Sequence, residues 1–263
     1  ANGLLAMGVK KGDRIAFLAT NSPVYFELIA AVSKIGAVIT PLNWRLSAAE
    51  LLYVLNDCRA KTVFVGAEFS ELVRGILPSL PECASLYSID KGLAQVDSYE
   101  DWKQRYDEAD PMLNVSPDTE VVQLYTSGTT GKPKGVILTD RNILSSRGQE
   151  EGDVLEPWQR YERAETALLA MPCFHIGGTS FGLGVIHSGA HAVVLSEFDP
   201  SEILTLIERH SIGKIFMVPA ALQILLNHPN FDKTDLSSLK YIFYGASPIP
   251  LDLMREAMER IGC

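Results

Sequence analysis

The sequence predicts an α/β protein, with helices layered on largely parallel β-sheets. Two observations carry this. Short apolar runs alternate with helical patterns along the chain, and residues that start or stop helices separate them. The 263 residues are 47% hydrophobic and 21% charged, which supplies a sizeable core and excludes a disordered chain or a disulfide scaffold. No fixed-period repeat or low-complexity tract interrupts the alternation.

The elements follow in order. Ala1–Leu5 reads as the tail of a helix, and Arg14–Leu18 as a strand. Ser22-Pro23 opens a helix, with serine as the N-cap and proline in the first turn, and Gly36 closes it. Ala37–Thr40 is the next strand. Ser47-Ala48-Ala49-Glu50 is a capping box that starts a helix ending near Asp57. Thr62–Val65 is a strand, Phe69–Leu77 a helix and Ser85–Ile89 a further strand. Residues 90–119 have a linker character, with a short helix around Tyr99–Tyr106, and any division of the chain is expected there, giving sub-domains 1–110 and 111–263. Val121–Tyr125 and Gly135–Leu138 are strands on either side of a loop at 126–134.

Thr166–Ser196 contains no Asp, Glu, Lys or Arg. Pro172, Gly177, Gly178, Gly182, Gly184 and Gly189 interrupt it. It therefore predicts a buried strand-loop-helix-strand unit, with strands at Thr166–Met171 and Ala192–Leu195, and not a membrane span. Asp199-Pro200-Ser201-Glu202 starts a helix to about His210. Lys214–Val218 is a strand, Pro219–Asn227 a helix, Lys240–Tyr244 a strand and Pro250–Ile261 a helix.

Lys plus Arg is 23 and Asp plus Glu is 32, a net charge of −9, which argues against a general nucleic-acid binder. An anion must be held here by a local device. The N-terminus lacks a basic region followed by an apolar run, so no secretory signal is read. Four widely spaced cysteines without a CxxC pair point to a reducing compartment and no zinc knuckle, and no metal ligand is assigned in this chain.

The local device is the loop Tyr125-Thr126-Ser127-Gly128-Thr129-Thr130-Gly131-Lys132-Pro133-Lys134-Gly135-Val136. Glycines let backbone N–H groups wrap an anion. The hydroxyls of Thr126, Ser127, Thr129 and Thr130 add donors, Lys132 and Lys134 add charge, and no acid lies between Glu120 and Asp140. The pattern is not a Walker A loop, because Gly128 and Gly131 are too close and Pro133 follows Lys132.

Residues 125–136 resemble the phosphate-binding signature of the adenylate-forming (AMP-binding) superfamily, in its acyl-CoA synthetase or fatty-acid–CoA ligase branch. Gly12-Asp13-Arg14-Ile15-Ala16, Asn21-Ser22-Pro23, Gly36-Ala37-Val38 and Pro41-Leu42-Asn43 resemble its N-terminal region. Met171-Pro172-Cys173-Phe174-His175-Ile176-Gly177-Gly178 resembles its acyl-pocket gate, and Tyr244-Gly245-Ala246-Ser247-Pro248-Ile249-Pro250 the wall beside the adenine.

The resemblance implies the N-terminal part of the acyl-CoA synthetase large domain, incomplete, on a chain that is a piece of a longer cytoplasmic ligase. Such a ligase sits peripherally at a membrane if its substrate is a long-chain fatty acid. It implies adenylation of a carboxylic acid by ATP with Mg2+, then thioester formation with coenzyme A. Thr126, Ser127, Gly128, Thr129, Thr130, Gly131, Lys132 and Lys134 would hold the ATP phosphates. Gly245, Ala246 and Ser247 would line the adenine. Phe174, His175, Gly177 and Gly178 would meet the acyl group, with His175 as the catalytic residue at the carboxylate. The glutamate ligand to Mg2+, the ribose-binding aspartate and the catalytic lysine would lie beyond Cys263, so the piece alone is expected to be inactive, with uncovered apolar surface favouring self-association.

The absence of an acid after Phe174 leaves an amino-acid ammonium without a counter-charge, so a fatty or aryl acid is expected. The glycines of this stretch leave acyl space or serve close packing with equal weight. Three other readings stand beside this one. The chain could be a non-catalytic nucleotide-binding piece. Gly178-Thr179-Ser180-Phe181-Gly182 matches a hydrolase elbow with Asp199 and His210 following, although no strand runs directly into it. Cys173 could be a thiol nucleophile.

Overall fold

The computed structural model describes residues 1–91, 96–127, 131–144, 156–162 and 164–262. The chain divides into two units, Ala1–Ile143 and Leu144–Cys263.

In the first unit, local helix signals act as the sequence predicts. The Ser22 hydroxyl accepts from the Val24 amide at the start of α2 (Pro23–Ile35), and Gly36 ends the helix at a φ of +70°. Ser47 and Glu50 form a reciprocal capping box at the start of α3 (Ala48–Asp57). The remaining helices are α1 (Asn2–Ala6), α4 (Ser70–Ile76), α5 (Tyr99–Lys103) and α6 (Asp140–Leu144). The strands are β1 (Arg14–Leu18), β2 (Val38–Pro41), β3 (Ala60–Val65), β4 (Ser85–Ser88), β5 (Asp97–Ser98), β6 (Glu120–Thr126) and β7 (Lys134–Thr139).

They form one sheet in the order β5-β4-β3-β1-β2-β6-β7, parallel throughout except for the antiparallel β6–β7 pair. Successive side chains of a strand point to opposite faces, so a parallel sheet needs cover on both. Ala16 and Leu18 of β1 join Leu51, Val54 and Leu55 of α3 and Val63 and Val65 of β3 in one core. Phe17, on the alternate face, meets the Tyr25 ring of α2 with centroids 5.4 Å apart. Leu51 is fully buried, so truncating it to Ala costs about 2–5 kcal/mol.

The division lies at Ile143/Leu144 and not near residue 110. The reason is a non-local pairing: Ile39 of β2 sits in parallel register with Val122 of β6, which draws the β6–β7 hairpin into the first sheet.

The second unit alternates β8 (Thr166–Leu169), α7 (Ile176–His187), β9 (His191–Val194), α8 (Pro200–His210), β10 (Ile212–Met217), α9 (Pro219–Leu226), β11 (Tyr241–Tyr244) and α10 (Leu251–Ile261). Its sheet runs β11-β10-β8-β9 and is parallel throughout. Ile215 and Met217 of β10 bury with Ile203, Leu204 and Ile207 of α8 and Leu222 and Leu225 of α9. Phe216 points the other way, to Phe181 of α7, with ring centroids 6.1 Å apart. The charge-free stretch is thus the strand-loop-helix-strand unit that its sequence predicts. Among the described residues no helix is long and apolar enough to cross a membrane.

A buried ion pair is built into this unit. Lys214 is 1% exposed, and its Nζ lies 3.4 Å from the Glu165 carboxylate. It also donates to the carbonyls of Trp158 and Arg160. A buried ammonium is tolerated when it is paired and hydrogen-bonded in this way.

Candidate functional site

The β6–β7 hairpin carries the loop expected to hold phosphate. Its ladder runs from Glu120↔Thr139 to Thr126↔Lys134, so the first hydroxyl and the second lysine of the motif stand opposite each other where pairing ends. Thr126, Ser127, Gly131, Lys132 and Lys134 are exposed. Gly131 has a φ of +85° with nothing within 4 Å of the place a Cβ would take, as a turn open to solvent requires. Gly128, Thr129 and Thr130 lie outside the described residues. Among the described residues neither Lys132 nor Lys134 has an acidic partner, so both ammonium groups remain available to an anion. Hydroxyls beside two such cations suit phosphate oxygens.

Helix α3 touches both sides of this loop. The Tyr125 hydroxyl donates to the Asp57 carboxylate at 2.5 Å, and the Tyr53 hydroxyl donates to the Pro133 carbonyl at 3.4 Å. Lys132 Nζ lies 5.5 Å from the centre of the Tyr53 ring. Nothing in the sequence singles out Tyr53 and Asp57 except their i, i+4 spacing, which puts them on one side of the helix.

In the second unit the gate residues form the turn between β8 and α7. Met171, Cys173 and Phe174 are buried, whereas His175 is exposed and is the N-cap residue of α7. The Phe174 and His175 rings lie 4.5 Å apart at 55°. The Thr179 hydroxyl donates to the Cys173 carbonyl at 2.5 Å and fastens the turn to the helix. His175 therefore stands where the N-terminal amides of a 12-residue helix favour an anion.

The two gate glycines do not leave open space. A Cβ on Gly178 would meet the carbonyl oxygens of Pro172 and Met171, the latter at 2.7 Å. A Cβ on Gly177 would meet the Phe216 ring at 2.6 Å. Both are close-packing positions, the second of the two roles that the sequence leaves open for them. The expected adenine wall follows β11. Gly245 approaches the same Phe216 ring, and Ala246 holds a φ of +66°. That conformation is costly for a residue with a Cβ, and such strain collects at functional sites. Ala246 and Ser247 are exposed.

Both nucleophile readings lose their geometry. Residues 178–182 lie within α7, so Ser180 is on a helix and not on a strand-to-helix elbow. Asp199 is engaged as the N-cap of α8, accepting from the amides of Ser201 and Glu202 at 2.8 and 3.0 Å. Burial pushes the Cys173 thiol up to about 12, so it stays protonated at neutral pH. None of Cys58, Cys83 and Cys173 is in a disulfide.

Comparison with known proteins bears on these motifs together. A family model described as AMP-binding enzyme matches residues 1–263. The chain belongs to the AMP-binding enzyme family.

Among relatives, it is 34% identical over 264 residues to the fatty acid–[acyl-carrier-protein] ligase ScoC of Streptomyces coeruleorubidus, covering 100% of this chain and 49% of that protein. It is 33% identical over 263 residues to a feruloyl-CoA synthase of an Amycolatopsis species, covering 99% and 49%. The inhibitor-bound N-terminal domain of FACL13 from Mycobacterium tuberculosis superposes with a TM-score of 0.85 at 27% identity, covering 98% of this chain and 63% of that one. The expected fold class, helices layered on largely parallel β-sheets as in the N-terminal part of such a domain, is the fold observed. The chain spans about half the length of the curated relatives it matches.

Proposed function

We propose that this chain is the phosphate- and acyl-handling part of an ATP-dependent acyl-CoA synthetase. The observation that carries the reading is the exposed hairpin end that holds Thr126, Ser127, Lys132 and Lys134, two hydroxyl residues and two lysines without acidic partners among the described residues. With Gly128, Thr129, Thr130 and Gly131 they hold the β- and γ-phosphates of ATP. Their work is charge neutralisation and in-line positioning of the leaving pyrophosphate.

In the first half-reaction a carboxylate oxygen attacks the α-phosphorus. The bond to pyrophosphate breaks and an acyl-adenylate forms. In the second, the thiol of coenzyme A attacks the acyl carbonyl and AMP leaves. Mg2+ supplies further charge neutralisation on the phosphates, and no residue of this chain is assigned to it. His175 donates a hydrogen bond to the carboxylate, supported by its exposed place at the start of α7. Gly245, Ala246 and Ser247 line the adenine.

The acid is a fatty or aryl acid. The lack of any acidic side chain from Thr166 to Ser196 supports this, because an amino-acid ammonium would have no counter-charge there. The two relatives act on a fatty acid and on ferulate by name, and their acceptors are a carrier protein and coenzyme A. We place the enzyme in the cytoplasm, peripheral to a membrane if the acid is long-chain. The test is thioester formation by the full-length protein with ATP and coenzyme A against octanoate, palmitate, ferulate and phenylalanine. Turnover of a fatty or aryl acid with none of phenylalanine is expected. Turnover of phenylalanine alone refutes the substrate class, and no ATP consumption with any acid refutes the reaction.

A further inference from the structure

We propose that Tyr53 and Asp57 of α3 are positioning residues that clamp the two roots of the phosphate loop and set its spacing for the β- and γ-phosphates. The proposal rests on the reading of residues 126–134 as the phosphate site.

The clamp has two points on one helix face. Asp57 accepts from the Tyr125 hydroxyl at 2.5 Å, immediately before Thr126. Tyr53 donates to the Pro133 carbonyl at 3.4 Å, between Lys132 and Lys134, while its ring faces Lys132. A residue spacing of i, i+4 puts the two side chains one above the other, so a single rigid element grips both sides of the loop.

The helix is suited to serve as that reference. Its N-terminus is locked by the Ser47–Glu50 capping box, and Leu51, Val54 and Leu55 are buried in the core of the first sheet. Asp57, by contrast, is badly placed for the helix itself. A carboxylate at a helix C-terminus opposes the macrodipole, so helix stability gives no reason for it. Its partner across the chain does.

The Tyr125 side is braced as well. Gln123 Nε2 donates to the Tyr125 hydroxyl at 3.2 Å, and Gln123 Oε1 accepts from Arg14 Nε at 3.2 Å. Arg14 in turn pairs with Glu120 at 2.8 Å. This chain ties the clamp to β1. Burial, then the hydrogen bond to Asp57, pushes the Tyr125 hydroxyl up, so it remains a donor across the neutral range.

Gly135 completes the device. It stands opposite Tyr125 in the hairpin, and a Cβ there would collide with the Gln123 amide and lie 3.1 Å from Tyr125 Cζ. The third glycine of the loop motif therefore makes room for the clamp side chains and need not touch nucleotide.

The experiment is a pair of equilibrium titrations of the full-length protein, with ATP and with AMP. AMP shares the adenine, ribose and α-phosphate but lacks the phosphates the loop holds. Asp57→Ala and Tyr125→Phe are expected to weaken ATP about tenfold and to leave AMP unchanged. Asp57→Asn keeps an acceptor oxygen and is expected to restore most of the ATP affinity. Should Asp57→Ala fail to fold, the Tyr53→Phe/Tyr125→Phe variant removes both hydroxyls while keeping both rings.

Unchanged ATP affinity in the clamp variants, with a large loss in Lys132→Ala/Lys134→Ala, overturns the clamp and leaves the phosphate site standing. Unchanged affinity in both sets overturns the phosphate site and the clamp with it. Equal weakening of ATP and AMP shows a general structural effect and overturns the clamp.

Discussion

Gly131 in the first unit and Gly178 in the second stand in two glycine-bearing segments that the sequence presents alike. The structure uses them in opposite ways. At Gly131 the surrounding space is open and the backbone is left-handed, so the glycine buys conformation at an exposed loop. At Gly178 a Cβ would run into the carbonyls of Met171 and Pro172, so the glycine permits close packing of α7 on the turn that precedes it. One glycine gives an exposed turn its backbone, and the other lets α7 pack closely on the turn that precedes it, three positions after His175. A glycine-rich sequence thus marks two physical solutions that only the environment of each Cβ tells apart.

The largest effect expected from this contrast is on stability. Gly178→Ala should destabilise the protein by about 3 kcal/mol, because the obstacle is backbone and has little room to shift. A denaturant titration checks it, and a loss below that of Gly131→Ala would invert the comparison. His175→Ala should lower the rate of adenylation about tenfold, the worth of one oriented hydrogen bond, with an unchanged melting temperature. Equal kinetics would reduce His175 to a cap residue.

Gly131→Ala should cost about 1 kcal/mol, through its positive φ alone. Cys173 gives a smaller, pH-dependent effect. Burial pushes its thiol up to about 12, against about 8.5 for an exposed thiol. The folded pKa is raised, so this contribution is full below the unfolded value and is lost as pH rises toward 12. Unfolding free energy measured at increasing alkaline pH should fall less steeply in Cys173→Ser than in the parent protein.

Much of the fold was legible because its signals are local. Ser22-Pro23 and Gly36 bound α2, and Ser47 with Glu50 starts α3, through contacts within a few residues. The division of the chain was not legible, because it depends on Ile39 finding Val122 across the sequence. The phosphate role proposed for the loop at 126–134 rests on side-chain chemistry, since density of hydroxyls and lysines without acids is a sequence property. Tyr53 and Asp57 could not be read this way. Asp57 is 68 residues from Tyr125, and the β2–β6 pairing draws the hairpin into the sheet that α3 packs on. The close packing at Gly177 and Gly178 was not legible, because the chain pattern does not say that Phe216 and the Pro172 carbonyl lie beside them.

The central claim is that the β6–β7 hairpin holds the phosphates of ATP. Its most direct test is the ATP dissociation constant of the full-length protein, by calorimetry, with and without the Lys132→Ala/Lys134→Ala change. Two charge-assisted contacts predict a loss of about a hundredfold at unchanged thermal stability. An affinity equal to that of the unaltered protein would contradict the account.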